Sequence, residues 1–173
     1  MKNNLTVKIG VFSAIAFILQ LLHLPFKIGG FLEIEFSDLP AIILSFSAGP
    51  LAGILVELIK NILHLLVSST GGIGELANFV TSGAFVFTAG IIYQRKKTKK
   101  NAVISLLVAT VALAIFAFLV NLYIMLPLYL KSADFATKLN IAAFTITPFN
   151  ICKGLILSAI TMLIYKRISR LIK

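Results

Sequence analysis

Apolar runs broken by short polar clusters divide this chain into six segments. The first extends from about Leu5 to Leu22 and the second from about Asp38 to Ala48. The third covers about Leu51 to Val67, the fourth Glu75 to Tyr93, the fifth Ala102 to Leu126 and the sixth Ile141 to Tyr165. The fifth and sixth are long enough to cross a hydrocarbon core of roughly 30 Å with some tilt. The second is not, since about eleven residues at 1.5 Å each reach only about 16 Å. It either borrows the FLEIEF stretch before it or sits inside the bundle as a half-length helix. The connection from His23 to Pro40 is too polar to span. Phe31, Glu33 and Glu35 alternate there with Leu32, Ile34 and Phe36, which predicts an extended piece with Gly29-Gly30 as its turn. Lying outside, such a piece suits folding over a bound molecule; the plain alternative is a solvated connection. Ser37 or Asp38 is placed to cap the second helix, with Pro40 near its first turn, and Gly49-Pro50 ends that helix and starts the third.

Composition turns these segments into membrane helices. With 59% hydrophobic and 13% charged residues, the 173-residue chain reads as an all-α integral membrane protein, a single bundle of six transmembrane helices over residues 1–173. Its net charge of +10 suggests nucleic acid until the charges are placed. Eleven of the 16 Lys and Arg lie at ends that six crossings put on one side: Lys2, Lys8, the Arg95–Lys100 cluster, and Lys166, Arg167, Arg170 and Lys173. Only Lys27, Lys131 and Lys138 fall opposite. The positive-inside rule then puts both termini in the cytoplasm, and the basic loops become topology signals and anionic-lipid contacts rather than nucleic-acid patches. The first span lacks a small-residue cleavage site before Pro25 and reads as retained.

Several chemistries are excluded. Cys152 is single, so neither an intrachain disulfide nor a Cys-based metal site can form, and it reads as a packing residue beside Lys153. His64 and His23 have no metal-ligand spacing, and no metal or cofactor is expected. No G-x-x-x-x-G-K-[ST] is present, GGIG at Gly71–Gly74 lacks a βαβ context, and no nucleophile, base and orienting group assemble. The chain is therefore expected to bind or carry a molecule, not to transform one.

The polar residues inside the spans are the site candidates. A charge at bilayer depth costs about 2.5 to 3.5 kcal/mol, so Lys153 must face an interior or a wet cavity, or else snorkel or pair with a glutamate. Asn150 is three residues before it on the same face, while Pro148 deletes a backbone donor and kinks the segment. Counted from the outer ends at 1.5 Å per residue, Asn121 is about 7.5 Å deep, Asn150 about 14 Å and Lys153 about 18 Å. All three thus lie between the outer surface and the midplane, where an outward-facing apolar pocket would have convergent polar groups. Glu57, Lys60, Asn61 and His64 form one stripe of the third helix, with Glu57 and Lys60 able to pair; Asn78 and Ser82 form another on the fourth. Gly10 and Ala14 are a small-xxx-small pair on the first helix, suited to a helix partner or to packing within the bundle.

Taken together, FSDLP (Phe36–Pro40), GPLAGILVELIKNILH (Gly49–His64), GELANF (Gly74–Phe79), the N-L-Y of Asn121–Tyr123 and PFNICK (Pro148–Lys153) resemble the substrate-binding S component of an energy-coupling factor transporter, in its riboflavin-specific form. The resemblance covers nearly the whole chain. It implies capture of riboflavin from outside by a six-helix fold in a bacterial-type cytoplasmic membrane. It also implies docking on a transmembrane coupling subunit driven by two ATPase subunits. Asn121, Asn150 and Lys153 would contact the flavin, and Lys27 to Phe36 would close over it. Leu32, Glu33, Phe36, Asp38, Lys60, Asn61 and Asn78 are further candidates for the site or its lid. Gly10 and Ala14 would meet the coupling subunit, although GVFSAIA departs from the alanine-rich pattern found there.

The chemistry agrees, because isoalloxazine is flat, uncharged near neutrality and edged by carbonyl and imide groups. Two asparagines can satisfy those edges, each amide supplying a donor and an acceptor, while Lys153 donates to a ring carbonyl or ribityl oxygen. Two rivals differ in what they need. An S component for thiamine, folate or pantothenate would change the polar positions. An autonomous ion-coupled carrier would use Glu57, Lys60 and His64 as a relay.

Overall fold

In the computed structural model, residues 2–22, 27–28, 32–33, 35–68 and 70–171 are described, with side chains over 4–22, 35–68 and 70–164. Helix α1 is Lys2–Leu21, α2 Asp38–Ala48, α3 Pro50–His64 and α4 Ile73–Arg95. A fifth run joins α5 (Lys99–Val120) through a π-helical turn, Asn121–Met125, to α6 (Leu126–Tyr129). A sixth joins α7 (Phe135–Ile141) through a second π turn, Ala142–Ile146, to α8 (Thr147–Leu171). Between α1 and α2, the strands β1 (Lys27–Ile28) and β2 (Leu32–Glu33) pair antiparallel, Lys27 opposite Glu33. The extended piece expected there has this form; the Gly29-Gly30 turn lies outside the described residues. By length and apolarity, four helical stretches among the described residues can cross a membrane: Asn4–Leu21, Ile73–Arg95, Lys99–Tyr129 and Phe135–Ile164.

The short helix takes the second of its two expected placements. Helix α2 lies inside the bundle, touching α1, α3, α4 and α8, and buries Asp38, Pro40, Ala41, Ile42, Leu44, Ser45 and Phe46. Eleven residues at 1.5 Å each give about 16 Å, so α2 is packed within the bundle without running its full length. Gly49 makes the reversal into α3 at φ +105°, a backbone state open to glycine, and Pro50 starts α3 at a position whose N–H would be unpaired anyway. On its far side Phe46 stacks on Tyr93, ring centroids 4.1 Å apart, and Gln94 donates to the carbonyls of Ser45 and Phe46 at the end of α2.

Three local expectations need correction. Neither Ser37 nor Asp38 caps α2: Ser37 makes no capping hydrogen bond, and Asp38 turns inward to ion partners. Helix α3 stops at His64, and Leu65–Val67 is a turn rather than helix. Cys152 is exposed on α8, so it does not pack beside Lys153 in the interior. Asp134 does cap α7, accepting from the Thr137 amide at 3.3 Å, and the Thr137 hydrogen bonds hold its carboxyl below the usual range.

Both π turns have the same cause. Each ends one residue short of the residue preceding a proline, Pro127 or Pro148, where a backbone donor is missing. The residue before each proline bonds five back instead of four: Leu126 to the Asn121 carbonyl, Thr147 to the Ala142 carbonyl. A wider turn thus precedes each proline, and the two turns lie against each other.

The α2–α3–α4 contact leaves no room at Gly53, where a Cβ would meet Val86 Cγ1 at 2.5 Å, Ser45 Cβ at 2.7 Å and the Ala41 carbonyl at 2.8 Å. Overpacking costs about 1 to 3 kcal/mol, against about 1 kcal/mol that alanine gains in helix propensity. Gly53→Ala is expected to lower the thermal midpoint of the detergent-solubilised protein by several degrees; an equal or higher midpoint would show that these helices are not in close contact.

Candidate functional site

The bundle holds a buried ion cluster built around Asp38 in the first turn of α2. Its Oδ1 receives Lys60 Nζ from α3 at 2.6 Å, and its Oδ2 lies 3.0 Å from Lys153 Nζ of α8 and accepts from Ser82 of α4 at 3.0 Å. One carboxylate therefore ties α2 to three other helices. Lys60 also donates to Ser37 Oγ at 2.9 Å and pairs with Glu57 Oε2 at 2.7 Å, a turn earlier on α3. Neither Glu57 oxygen receives a directed hydrogen bond. The Asp38, Lys60 and Glu57 side chains are at most 1% exposed.

Glu35, in the segment leading into α2, extends the cluster outward. Its Oε1 accepts from Asn78 Nδ2 at 2.7 Å and stands 3.5 Å from Lys153 Nζ. The predicted pair Glu57–Lys60 is present, and Asp38, Lys60, Asn78, Ser82 and Lys153 come together as one network. Asn61 lies beside it, buried, donating to the Glu57 carbonyl with its own Oδ1 unpartnered. His64 turns away from the stripe, pairing with Glu75 Oε1 at 2.8 Å, while Thr70 holds Oε2 at 2.6 Å. Lys153 thus takes the paired form that the sequence leaves as its alternative, with Asp38 as the nearer partner and Glu35 as the second. Sequence reasoning missed Glu35 and Ser37 as members. Glu35 is three residues from Asp38, but outside a helix that spacing has no fixed meaning.

The two asparagines stand apart from this network. Asn150, buried on α8, donates to the Ile146 carbonyl at 2.9 Å; Asn121, half-buried at the first π turn, donates to the Ala117 carbonyl at 2.8 Å. Each bond runs back along its own helix, and neither joins the amide to Lys153. Phe36 is partly buried against the core, while the side chains of Leu32 and Glu33 lie outside the described residues. Gly10 and Ala14 are on the exposed face of α1, with no atom within 4 Å of where a Gly10 Cβ would stand.

An open groove of about 460 Å³ lies between α5 and the α7–α8 run, lined by Ala114, Phe118, Ala143 and Ile151 among others. It does not include Asn121, Asn150 or Lys153. Its two threonines, Thr110 and Thr147, donate to carbonyls of their own helices. The groove is an apolar surface feature, separate from the polar cluster.

Breaking a buried ion pair costs about 3 to 5 kcal/mol because the remaining charge is stranded, whereas losing a helix cap costs about 0.5 to 2 kcal/mol. Asp38→Ala is therefore expected to destabilise the folded protein by about 3 to 5 kcal/mol, well beyond Asp134→Ala. Thermal unfolding in detergent compares the two variants, and equal midpoints would remove Asp38 as the structural centre.

Comparisons place these features among known proteins. Residues 4–165 match the family described as ECF transporter, substrate-specific component. Riboflavin transporter RibU of Staphylococcus aureus (strain TCH60) is 36% identical over 177 residues, covering 99% of this chain and 94% of the relative. Riboflavin transporter FmnP of Bacillus subtilis (strain 168) is 37% identical over 175 residues, covering 95% and 92%. A solved S component of a bacterial ECF transporter superposes with a TM-score of 0.86 at 34% identity, covering 100% of this chain and 99% of that one. ThiT from Listeria monocytogenes shares the fold at a TM-score of 0.61 and 15% identity, covering 96% of this chain and 97% of its own.

Proposed function

This chain belongs to the family of ECF transporter substrate-specific components, and from that membership we propose that it captures riboflavin at the outer face of a bacterial cytoplasmic membrane. What carries this reading is its similarity, over nearly its full length, to proteins named as riboflavin transporters. It is a transport component with riboflavin as cargo, held without a cofactor.

In this reading all six helical runs cross or enter the bilayer, both termini face the cytoplasm, and the segment Lys27–Phe36 closes over the ligand, with Leu32, Glu33 and Phe36 among the candidate contacts. Asn121 and Asn150 present amides to the carbonyl and imide edges of the flavin, and Lys153 donates to an oxygen. Each asparagine now spends its NH₂ on a carbonyl of its own helix. Rotating the amide toward a ligand therefore exchanges one hydrogen bond for another at small net cost. Asp38, Lys60, Asn61 and Asn78 support the site from α2, α3 and α4. Energy comes from a transmembrane coupling subunit and two ATPase subunits, with the exposed Gly10 and Ala14 face of α1 as the docking surface.

Purified protein titrated with riboflavin is expected to quench flavin fluorescence at a stoichiometric end point, and preparations from vitamin-rich medium should be yellow. No quenching and no bound flavin would reject the assignment. Asn150→Ala should weaken binding by about 1 to 3 kcal/mol, the cost of leaving a ligand group unpaired in the site. Unchanged affinity in this variant would exclude Asn150 from contact.

A further inference from the structure

Three acidic side chains, Glu35, Asp38 and Glu57, gather around two lysines, Lys60 and Lys153. The members are not held alike. Asp38 is 1% exposed and makes close contacts with two lysines and Ser82; Glu57 is fully buried at 2.7 Å from Lys60. Glu35 precedes α2 in non-helical chain, is 11% exposed, and makes the longest of the cluster's four ion contacts, 3.5 Å to Lys153. Of the three acidic members it is the one held least tightly.

The position it occupies is shaped for a neutral ligand. Its Oε1 is the point where two donors from different helices converge, Asn78 Nδ2 of α4 and Lys153 Nζ of α8. Beside them, Asn78 Oδ1 is buried and has no hydrogen-bond partner. Two donors at one point with an idle acceptor next to them match a carbonyl oxygen flanked by an N–H, and Glu35 supplies only the oxygen. We infer that Glu35 is an internal stand-in for the ligand, holding Lys153 and Asn78 in the empty protein and leaving when an uncharged carbonyl and N–H edge takes its place. The inference rests on the riboflavin reading and adds to it the self-competition that sets apparent affinity.

Apparent affinity falls in proportion to the fraction of protein in which the site is free. Removing the competing charge raises that fraction. Glu35→Gln, which keeps an oxygen for Asn78 but loses the attraction to Lys153, should tighten riboflavin binding by about three- to ten-fold. Glu35→Ala should shift affinity in the same direction, and Asp134→Asn, which removes an exposed carboxylate elsewhere, should leave it unchanged. The experiment is an equilibrium titration of full-chain protein, freed of bound flavin in detergent, read by flavin fluorescence quenching. Tightening in both Glu35 variants but not in Asp134→Asn supports the inference. Wild-type binding with unchanged or weakened affinity in the Glu35 variants overturns it and leaves the riboflavin assignment standing. Equal tightening in Asp134→Asn also overturns it, since the effect would then be one of general charge. A wild type that does not bind riboflavin removes the assignment, and this inference with it.

Discussion

One carboxylate, Asp38, holds two ammonium groups from two different helices inside an apolar body, and the architecture follows from that requirement. Burying an ion costs several kcal/mol even after relaxation, so such a cluster is a poor source of stability and a strong source of geometry. Lys60 and Lys153 have few neutral escapes at this depth, and each must be met by a carboxylate at contact distance. A helix carrying that carboxylate must therefore stand in the middle of the bundle, among α3, α4 and α8. An eleven-residue helix does this without having to reach the other side. The close approach at Gly53 and the reversal at Gly49 then follow, since α2 and α3 must be near neighbours for Asp38 to reach Lys60.

What the sequence made legible was whatever had a helical period. Lys153 and Asn150 three apart, Glu57 and Lys60 three apart, Asn78 and Ser82 four apart are all positions whose relative direction a helix dictates, and all these pairs face inward except for Asn78, which is half-buried. Residues outside helices were not legible in this way. Glu35 was read as one position of a period-two piece, but it lies beyond the strand that forms, Leu32–Glu33, and its partners, Asn78 and Lys153, are 43 and 118 residues away. Asp38 looked like a cap because a short acidic side chain before a helix usually is one; two buried ammonium groups outcompete an exposed-type cap bond of about 1 kcal/mol. The π turns were hidden for another reason. A proline announces a missing donor but not whether the chain kinks or takes up the slack with a wider turn, and neighbouring helices decide that.

Those turns bear on how amides are satisfied in an apolar setting. Asn121 begins one wide turn and Asn150 follows the other, and the turns touch. A polar side chain in hydrocarbon must be paired at all times, and a bond to the carbonyl four residues back meets that need without fixing the side chain to another helix. The amides are in this sense satisfied but uncommitted. Lys153 shows the other solution: its length lets it cross to α2, and it accepts a committed pairing with Asp38 and a looser one with Glu35. The bundle therefore holds two kinds of polar group, amides bonded within their own helices and one ammonium paired across to α2.

The same helix links this chemistry to the molecule's outer surface. Helix α1 presents Val7, Val11, Ile15 and Ile18 outward, while Ala16 on its inner side packs in the core cluster that includes Ala41 and Ile42 of α2. Anything that settles on the exposed face of α1 is thus one helix away from the element that carries Asp38. Contact alone transmits nothing, because coupling needs an element with two arrangements whose balance both ends can shift. The proposed exchange of Glu35 for a ligand would be such a pair of arrangements at the start of α2, one with its carboxylate in the cluster and the other with it outside. A change in how α1 bears on α2 that moves Asp38 relative to Lys153 alters the relative energy of these two states. In the proposed reading, ligand capture and docking at α1 would then act on one set of ion contacts, with no wire of residues required between them.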